Sequence, residues 1–136
     1  MRPRRALTEN GRVTTAPLPW PALHIGLDGI WLADGEGARR VDRQAAIRLL
    51  ADTPTLLVNA PLVASKLGYP EASGLDVLEL FAFVHPARFA VPTVHGLAAL
   101  LGLDSAHDGA AEARLLRAVA ETLLTHVQGG KWDRAG

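Results

Sequence analysis

Residues 76–112 read DVLELFAFVHPARFAVPTVHGLAALLGLDSAHDGAAE, and the order of signals in this stretch decides how the chain is read. Asp76 and Glu79 place acidic groups at the head of an apolar run, the polarity that suits a helix start. A loop bounded by Pro86 and Pro92 follows, because proline lacks the backbone donor that a helix interior uses. A short helix is expected over 96–101, stopped by Gly102. His107 then stands five residues before Glu112, and Asp108 can cap a long final helix over about 109–127. Within that helix Leu115, Leu116, Val119 and Leu123 share one face, while Arg114, Arg117 and Glu121 occupy another. Gly129-Gly130 is the expected stop.

Upstream the periodicity changes. Leu23 to Leu27 reads as a strand, Asp28-Gly29 as a two-residue hairpin turn, and Ile30 to Ala33 as the returning strand. A second turn over 34–37 leads to a third strand, Ala38 to Val41. Asp42 can cap a helix over about 43–51, where Ala46, Ile47 and Leu50 recur at helical spacing. Thr55 to Val58 is a continuous apolar run, expected of a strand covered on both faces. Pro61 suits the first turn of a helix ending at Gly68, and 74–77 can hold a last short strand. An antiparallel meander followed by alternating helix and strand predicts a mixed sheet with helices packed on it, α/β or α+β.

Composition narrows the function classes. The chain has 136 residues, 49% hydrophobic and 21% charged, which suits one domain with a substantial core. We divide it into a leader over 1–21, a domain over 22–128 and a tail over 129–136. Lys and Arg total 14, Asp and Glu total 14, and cysteine is absent. Zero net charge argues against a strong, diffuse grip on phosphates. Absent cysteine excludes disulfides, thiolate catalysis and cysteine-ligated zinc, and suits a cytoplasmic location. No apolar run approaches the roughly 20 residues needed to span a bilayer. No Gly-x-x-x-x-Gly-Lys-Ser/Thr loop occurs, so an ATP-binding motor is not encoded here.

The stretch quoted above resembles the C-terminal half of the DEDDh, or DnaQ-like, 3′–5′ exonucleases. It is similar in particular to the exonuclease-like domain that precedes the motor in some bacterial DinG-type DNA helicases. The resemblance implies an RNase H-like fold: a three-strand antiparallel meander plus parallel strands, with helices on the sheet. It also implies where a site would lie. Active members hold two divalent cations with four carboxylates and use a histidine as general base, since two metals stabilise the attacking and leaving oxygens of a phosphodiester.

Against that pattern most of the carboxylates are missing. The first-strand Asp-x-Glu pair has no counterpart in His24-Ile25-Gly26-Leu27. Asp28 is the only carboxylate near it and is better explained by the turn, while His24 reads as a half-buried, satisfied histidine. In the second motif Asn59 and Ala60 match, but Val63 occupies the metal-binding aspartate position. In the third, His107 and Glu112 keep the spacing with Glu in place of Asp. The expected catalytic set is therefore vestigial: His107, Glu112 and Asn59. No metal or other cofactor is expected, with Asp28 and Glu112 the nearest candidates for one.

Three functions follow as expectations. The first is a non-catalytic accessory domain of a DNA helicase in DNA repair or processing, contacting single-stranded DNA or the motor. The second is an active Mg- or Mn-dependent nuclease using Asp28, Asp76, Glu79 and Glu112 in an unusual arrangement. The third is a protein-interaction domain built on Phe81, Phe83, Val84, Phe89 and Val91, most of whose apolar surface core burial would explain. Nucleic-acid contact, if made, is expected from Arg2, Arg4 and Arg5 or from Arg39 and Arg40, because the cleft shows no obvious cations gained for the carboxylates lost. A membrane partner is not expected.

Overall fold

A computed structural model describes residues 18–128 and, outside them, a small antiparallel ribbon in which Ala6–Leu7 pairs with Val13–Thr14. Arg2, Arg4 and Arg5, Gly129-Gly130 and the tail over 129–136 lie outside the described residues, as does most of the expected leader.

Five strands form the main sheet: β1 (Ala22–Gly26), β2 (Gly29–Asp34), β3 (Gly37–Val41), β4 (Leu56–Leu57) and β5 (Leu75–Asp76). Their spatial order is β3-β2-β1-β4-β5. β1, β2 and β3 are antiparallel neighbours, whereas β4 runs parallel to β1 and β5 parallel to β4. The helices are α1 (Arg43–Asp52), α2 (Ala60–Leu67), α3 (Val77–Val84), α4 (Val94–Leu100) and α5 (Gly109–Gln128). The fold is thus α/β, with the expected RNase H-like arrangement of meander, parallel strands and helices. Among the described residues no helix is long and apolar enough to cross a membrane.

The side-chain alternation of a strand explains the two layers. Ala22 and Leu56 face a core shared with Val77, Phe81, Leu97 and the inner face of α5. Their neighbours Leu23 and Leu57 face the opposite core, with Ala46 and Leu50 of α1 and Val63 and Leu67 of α2. Strands covered on both sides read as continuous apolar runs, which is why β4 was visible in sequence. α5 is the principal anchor, burying Leu115, Leu116, Val119 and Leu123. Each fully buried side chain of this size contributes about 1.5–3 kcal/mol.

Helix ends follow their caps. Asp42 Oδ1 accepts the Ala45 N–H at 2.7 Å, and Asp108 Oδ1 accepts that of Ala111 at 2.7 Å. α4 starts at Val94, two residues before the expected start, because Thr93 Oγ1 accepts the Gly96 N–H at 3.0 Å. Two turns and strands also shift. The β1–β2 turn is Leu27-Asp28, with Gly29 already paired to Gly26 in the ladder. β4 and β5 keep only two ladder residues each, fewer than the runs over 55–58 and 74–77 suggest. Leu18 and Trp20, at the end of the expected leader, pack on the α3–α5 core. The Arg117 guanidinium donates to both of their carbonyls, at 2.9 and 3.3 Å.

The apolar group spanning α3 and the loop after it departs from expectation. Phe81 and Val84 are buried, but Phe83, Phe89 and Val91 are exposed, so core burial explains only part of this apolar group.

Candidate functional site

A cleft of about 230 Å³ opens beside the C-terminal end of β1. It is walled by β1, the first turns of α2, the Pro92–His95 segment and Glu112 of α5. Of the positions that the resemblance would assign to a site, His24, Gly26, Asn59, Val63 and Glu112 line it. The sheet order accounts for this convergence, since β1 and β4 are neighbours and α5 crosses both.

At the centre is one carboxylate held by two imidazoles. His24 Nε2 lies 3.0 Å from Glu112 Oε1, and His95 Nε2 lies 2.7 Å from Glu112 Oε2. Each ring nitrogen facing the carboxylate carries its proton there, because a carboxylate only accepts. His24 is 12% exposed and His95 43%. Burial lowers the pKa of His24 from its ordinary value; contact with Glu112 opposes this, and His95 and Lys66 add to the lowering.

Gly26 shows how crowded the first-motif position is. A Cβ built there would stand 3.3 Å from Glu112 Oε1, 3.5 Å from Asp28 Oδ1 and 3.5 Å from His24 Nε2. A side chain there would touch polar atoms of three others, and of these only the Glu112 oxygen would have to give, by a few tenths of an ångström. Asp28 is engaged as well, since Trp31 Nε1–H donates to its Oδ1 at 3.1 Å. The indole in turn lies against Gly109, where any Cβ would penetrate the ring. That contact brings the first turn of α5, and so Glu112, close to β1 and β2.

The second motif is structural throughout. Asn59 adopts the left-handed conformation (φ 65°) and caps α2, its Oδ1 accepting the Leu62 N–H at 3.3 Å. Val63 is 5% exposed and sits between the cleft and the α1–α2 core. Asp76 does not reach the cleft. Its carboxylate accepts the N–H groups of Asn59 at 3.0 Å, Ala60 at 2.7 Å and Leu78 at 3.0 Å, tying the start of α2 to the start of α3. Glu79 lines a separate depression beside Trp20 and Leu80. The unusual nuclease set of Asp28, Asp76, Glu79 and Glu112 is therefore not assembled. Among the described residues no group of three or more His, Asp or Glu is placed to hold a metal ion.

His107 is exposed and does not line the cleft. His95, which sequence spacing gave no reason to single out, makes the contact with Glu112 instead. The cleft also carries Lys66 at its lining, a cation that the sequence reading overlooked. Arg39 and Arg40 lie on the edge strand β3. Arg39 Nη1 pairs with Asp34 at 3.2 Å, and the Arg40 guanidinium lies 5.5 Å from the centre of the Trp31 ring.

Compared with known proteins, the chain matches no family model, no curated protein and no solved structure.

Proposed function

We propose that this domain is a non-catalytic, exonuclease-like accessory module of a cytoplasmic DNA helicase, acting in DNA repair or processing through contact with single-stranded DNA or the motor. The supporting observation is the state of the motif cleft. The strand His24-Ile25-Gly26-Leu27 offers no Asp-x-Glu pair, Val63 stands where the second motif has aspartate, and the one carboxylate, Glu112, is bound by His24 and His95. Two-metal chemistry needs several oxygen ligands around hard cations. A single carboxylate already satisfied by two imidazole donors does not provide them.

The test is a 3′-end degradation assay on single-stranded DNA with millimolar Mg²⁺ or Mn²⁺, paired with thermal melting in the same buffers. The expected result is no cleavage and no metal-dependent rise in melting temperature, because a ligand that does not bind the native state cannot stabilise it. Degradation lost in Glu112→Gln would overturn the reading.

A protein-interaction role is the second reading, favoured by Phe83 on α3 and by Phe89 and Val91 on the loop after it, which are 67%, 85% and 56% exposed. Exposed apolar side chains mark docking sites where they form a patch. Size-exclusion chromatography distinguishes a self-associating domain from a monomeric DNA binder.

A further inference from the structure

We propose that the free edge of β3, with the groove between it and α1, is a docking site for an extended acidic segment of a partner protein, which joins the sheet as an added strand. This surface shares no residue with the motif cleft and is independent of the function proposed above.

β3 ends the strand order, so β2 is its one neighbour in the sheet. Gly35-Glu36 form the turn between β2 and β3, and Asp34 and Gly37 are the first pair of the ladder. A pair that closes a two-residue turn exchanges both of its hydrogen bonds. Along an antiparallel ladder such pairs alternate with pairs that exchange none. Leu32–Arg39 and Ile30–Val41 therefore bond inward. The N–H and C=O groups of Ala38 and Arg40 point away from β2, and they have no backbone partner among the described residues.

The two faces of this edge offer different chemistry. On the α1 face runs a groove of about 450 Å³, in which Leu32, Val41 and Leu49 are flanked by the exposed side chains of Arg39, Arg48 and Asp52. On the other face the Arg40 guanidinium rests against Gly29 and lies 5.5 Å from the centre of the Trp31 ring. The indole is itself held, by its hydrogen bond to Asp28. A guanidinium stacked in this way keeps its planar fork of donors in place for a carboxylate. A strand paired to β3 sends alternate side chains to the two faces. Apolar ones enter the groove, and acidic ones meet Arg40.

Charge selects the occupant. Arg39 has Asp34 at 3.2 Å, whereas Arg40 and Arg48 have no carboxylate partner among the described residues. A second copy paired edge to edge would bring two Arg39-Arg40 segments together, and like charges across a ladder are destabilising. The arginines thus guard the edge against self-pairing. An acidic strand turns the same charges into attraction, and strand addition draws its affinity from the backbone groups and its specificity from the alternate side chains. Nucleic acid supplies the negative charge but no row of amide and carbonyl groups to meet Ala38 and Arg40.

The experiment titrates the isotope-labelled full chain with a short synthetic peptide alternating glutamate and valine, read by amide chemical shifts and fluorescence anisotropy. Saturable binding is expected, shifting the amides of residues 37–41 and 45–49 and leaving those of 60–67 in place. The same peptide N-methylated at alternate residues, on the edge that pairs with β3, should bind at least about tenfold more weakly, because its backbone donors are gone. The double variant Arg40→Glu, Arg48→Glu should lose a similar factor. The methylated peptide tests the unaltered chain, so the outcome does not hang on the fold of the variant. No saturable binding, or equal affinity for the methylated peptide, overturns the proposal. Oligothymidylate that displaces the peptide from the same amides at lower concentration also overturns it and makes the edge a nucleic-acid surface. Concentration-dependent dimerisation through residues 37–41 overturns it in favour of a second copy.

Discussion

His24 and Glu112 meet at 3.0 Å across 88 residues of sequence, joining the central strand to the first turn of the last helix. Neither residue is unusual where it stands in the sequence. Together with His95, whose Nε2 lies 2.7 Å from the other carboxylate oxygen, they form a three-residue cluster in the cleft.

Restoring one ligand should not restore chemistry. Val63→Asp is expected to leave the chain inactive on single-stranded DNA, because the strand His24-Ile25-Gly26-Leu27 still supplies no carboxylate pair. The same substitution should also destabilise the domain by about 1–3 kcal/mol, since Val63 is packed in the α1–α2 core and a carboxylate there is poorly solvated. Urea denaturation alongside the nuclease assay reads both outcomes. Cleavage by this variant would show that the first motif lies elsewhere.

The pH dependence of global stability should carry the mark of His24. Its pKa is lowered by burial from the ordinary 6.5, so the folded state takes up this proton less readily than the unfolded chain. Stability from this source is fully present above the unfolded value and is lost as the pH falls through 6.5 towards the folded value. Denaturation midpoints at about pH 7.5 and about pH 5.5 should differ less in His24→Gln than in wild type. Equal differences would place the pH response in other groups.

Gly109 sets two effects against each other. Helix propensity alone favours alanine over glycine by about 1 kcal/mol. The added Cβ, however, would penetrate the Trp31 indole, and overpacking typically costs about 1–3 kcal/mol. We expect Gly109→Ala to be destabilising on balance and to weaken the Trp31–Asp28 hydrogen bond. Chemical denaturation gives the sign directly, and indole fluorescence reports the displaced ring.

Much of the fold was legible because its signals are local. The meander announces itself through Gly29 and the turn at 34–37, α1 through Asp42, and α2 through Pro61 and Gly68. The two-residue strands β4 and β5 were only approximately placed, because side-chain pattern continues beyond the few residues that actually form the ladder. The site was less legible for a different reason. Asp76 looked like a helix cap and is one, but its second task, holding the start of α2, depends on β4 and β5 being neighbours. His107 was singled out by its spacing from Glu112, and His95 was not considered. Spacing carries no information about which histidine the packing of α4 on α5 turns towards Glu112, and His95 lies within α4 itself.

Asp76 offers a direct check of that second task. Asp76→Ala removes the acceptor of three backbone N–H groups. An unsatisfied buried donor costs about 1–3 kcal/mol; these three are part-buried and regain some water, so a total loss of about 1–3 kcal/mol is expected. Asp76→Asn, which keeps one acceptor oxygen, should recover part of it. Equal losses in the two variants would mean that the carboxylate's charge, rather than its acceptor geometry, holds the two helix starts together.

Binding to single-stranded DNA should be weak and should fall steeply with salt. The net charge is zero, and phosphate binding draws its strength from released counterions, one for each phosphate neutralised by Lys or Arg. Lys66 and the two cleft imidazoles stand beside Glu112, which cancels part of their field. Arg40 is better placed, because it sits exposed over Trp31 on an edge strand with no carboxylate partner among the described residues. Arg39 already has Asp34. Arg40→Gln should therefore weaken binding more than Arg39→Gln, and each lost phosphate contact should reduce the salt slope by about 0.7. The contribution of Arg2, Arg4 and Arg5 is measured by replacing all three with Gln. Fluorescence anisotropy across a salt series separates the outcomes. Tight binding insensitive to salt would contradict the electrostatic argument, and absence of binding at any salt would favour docking through Phe83 and Phe89.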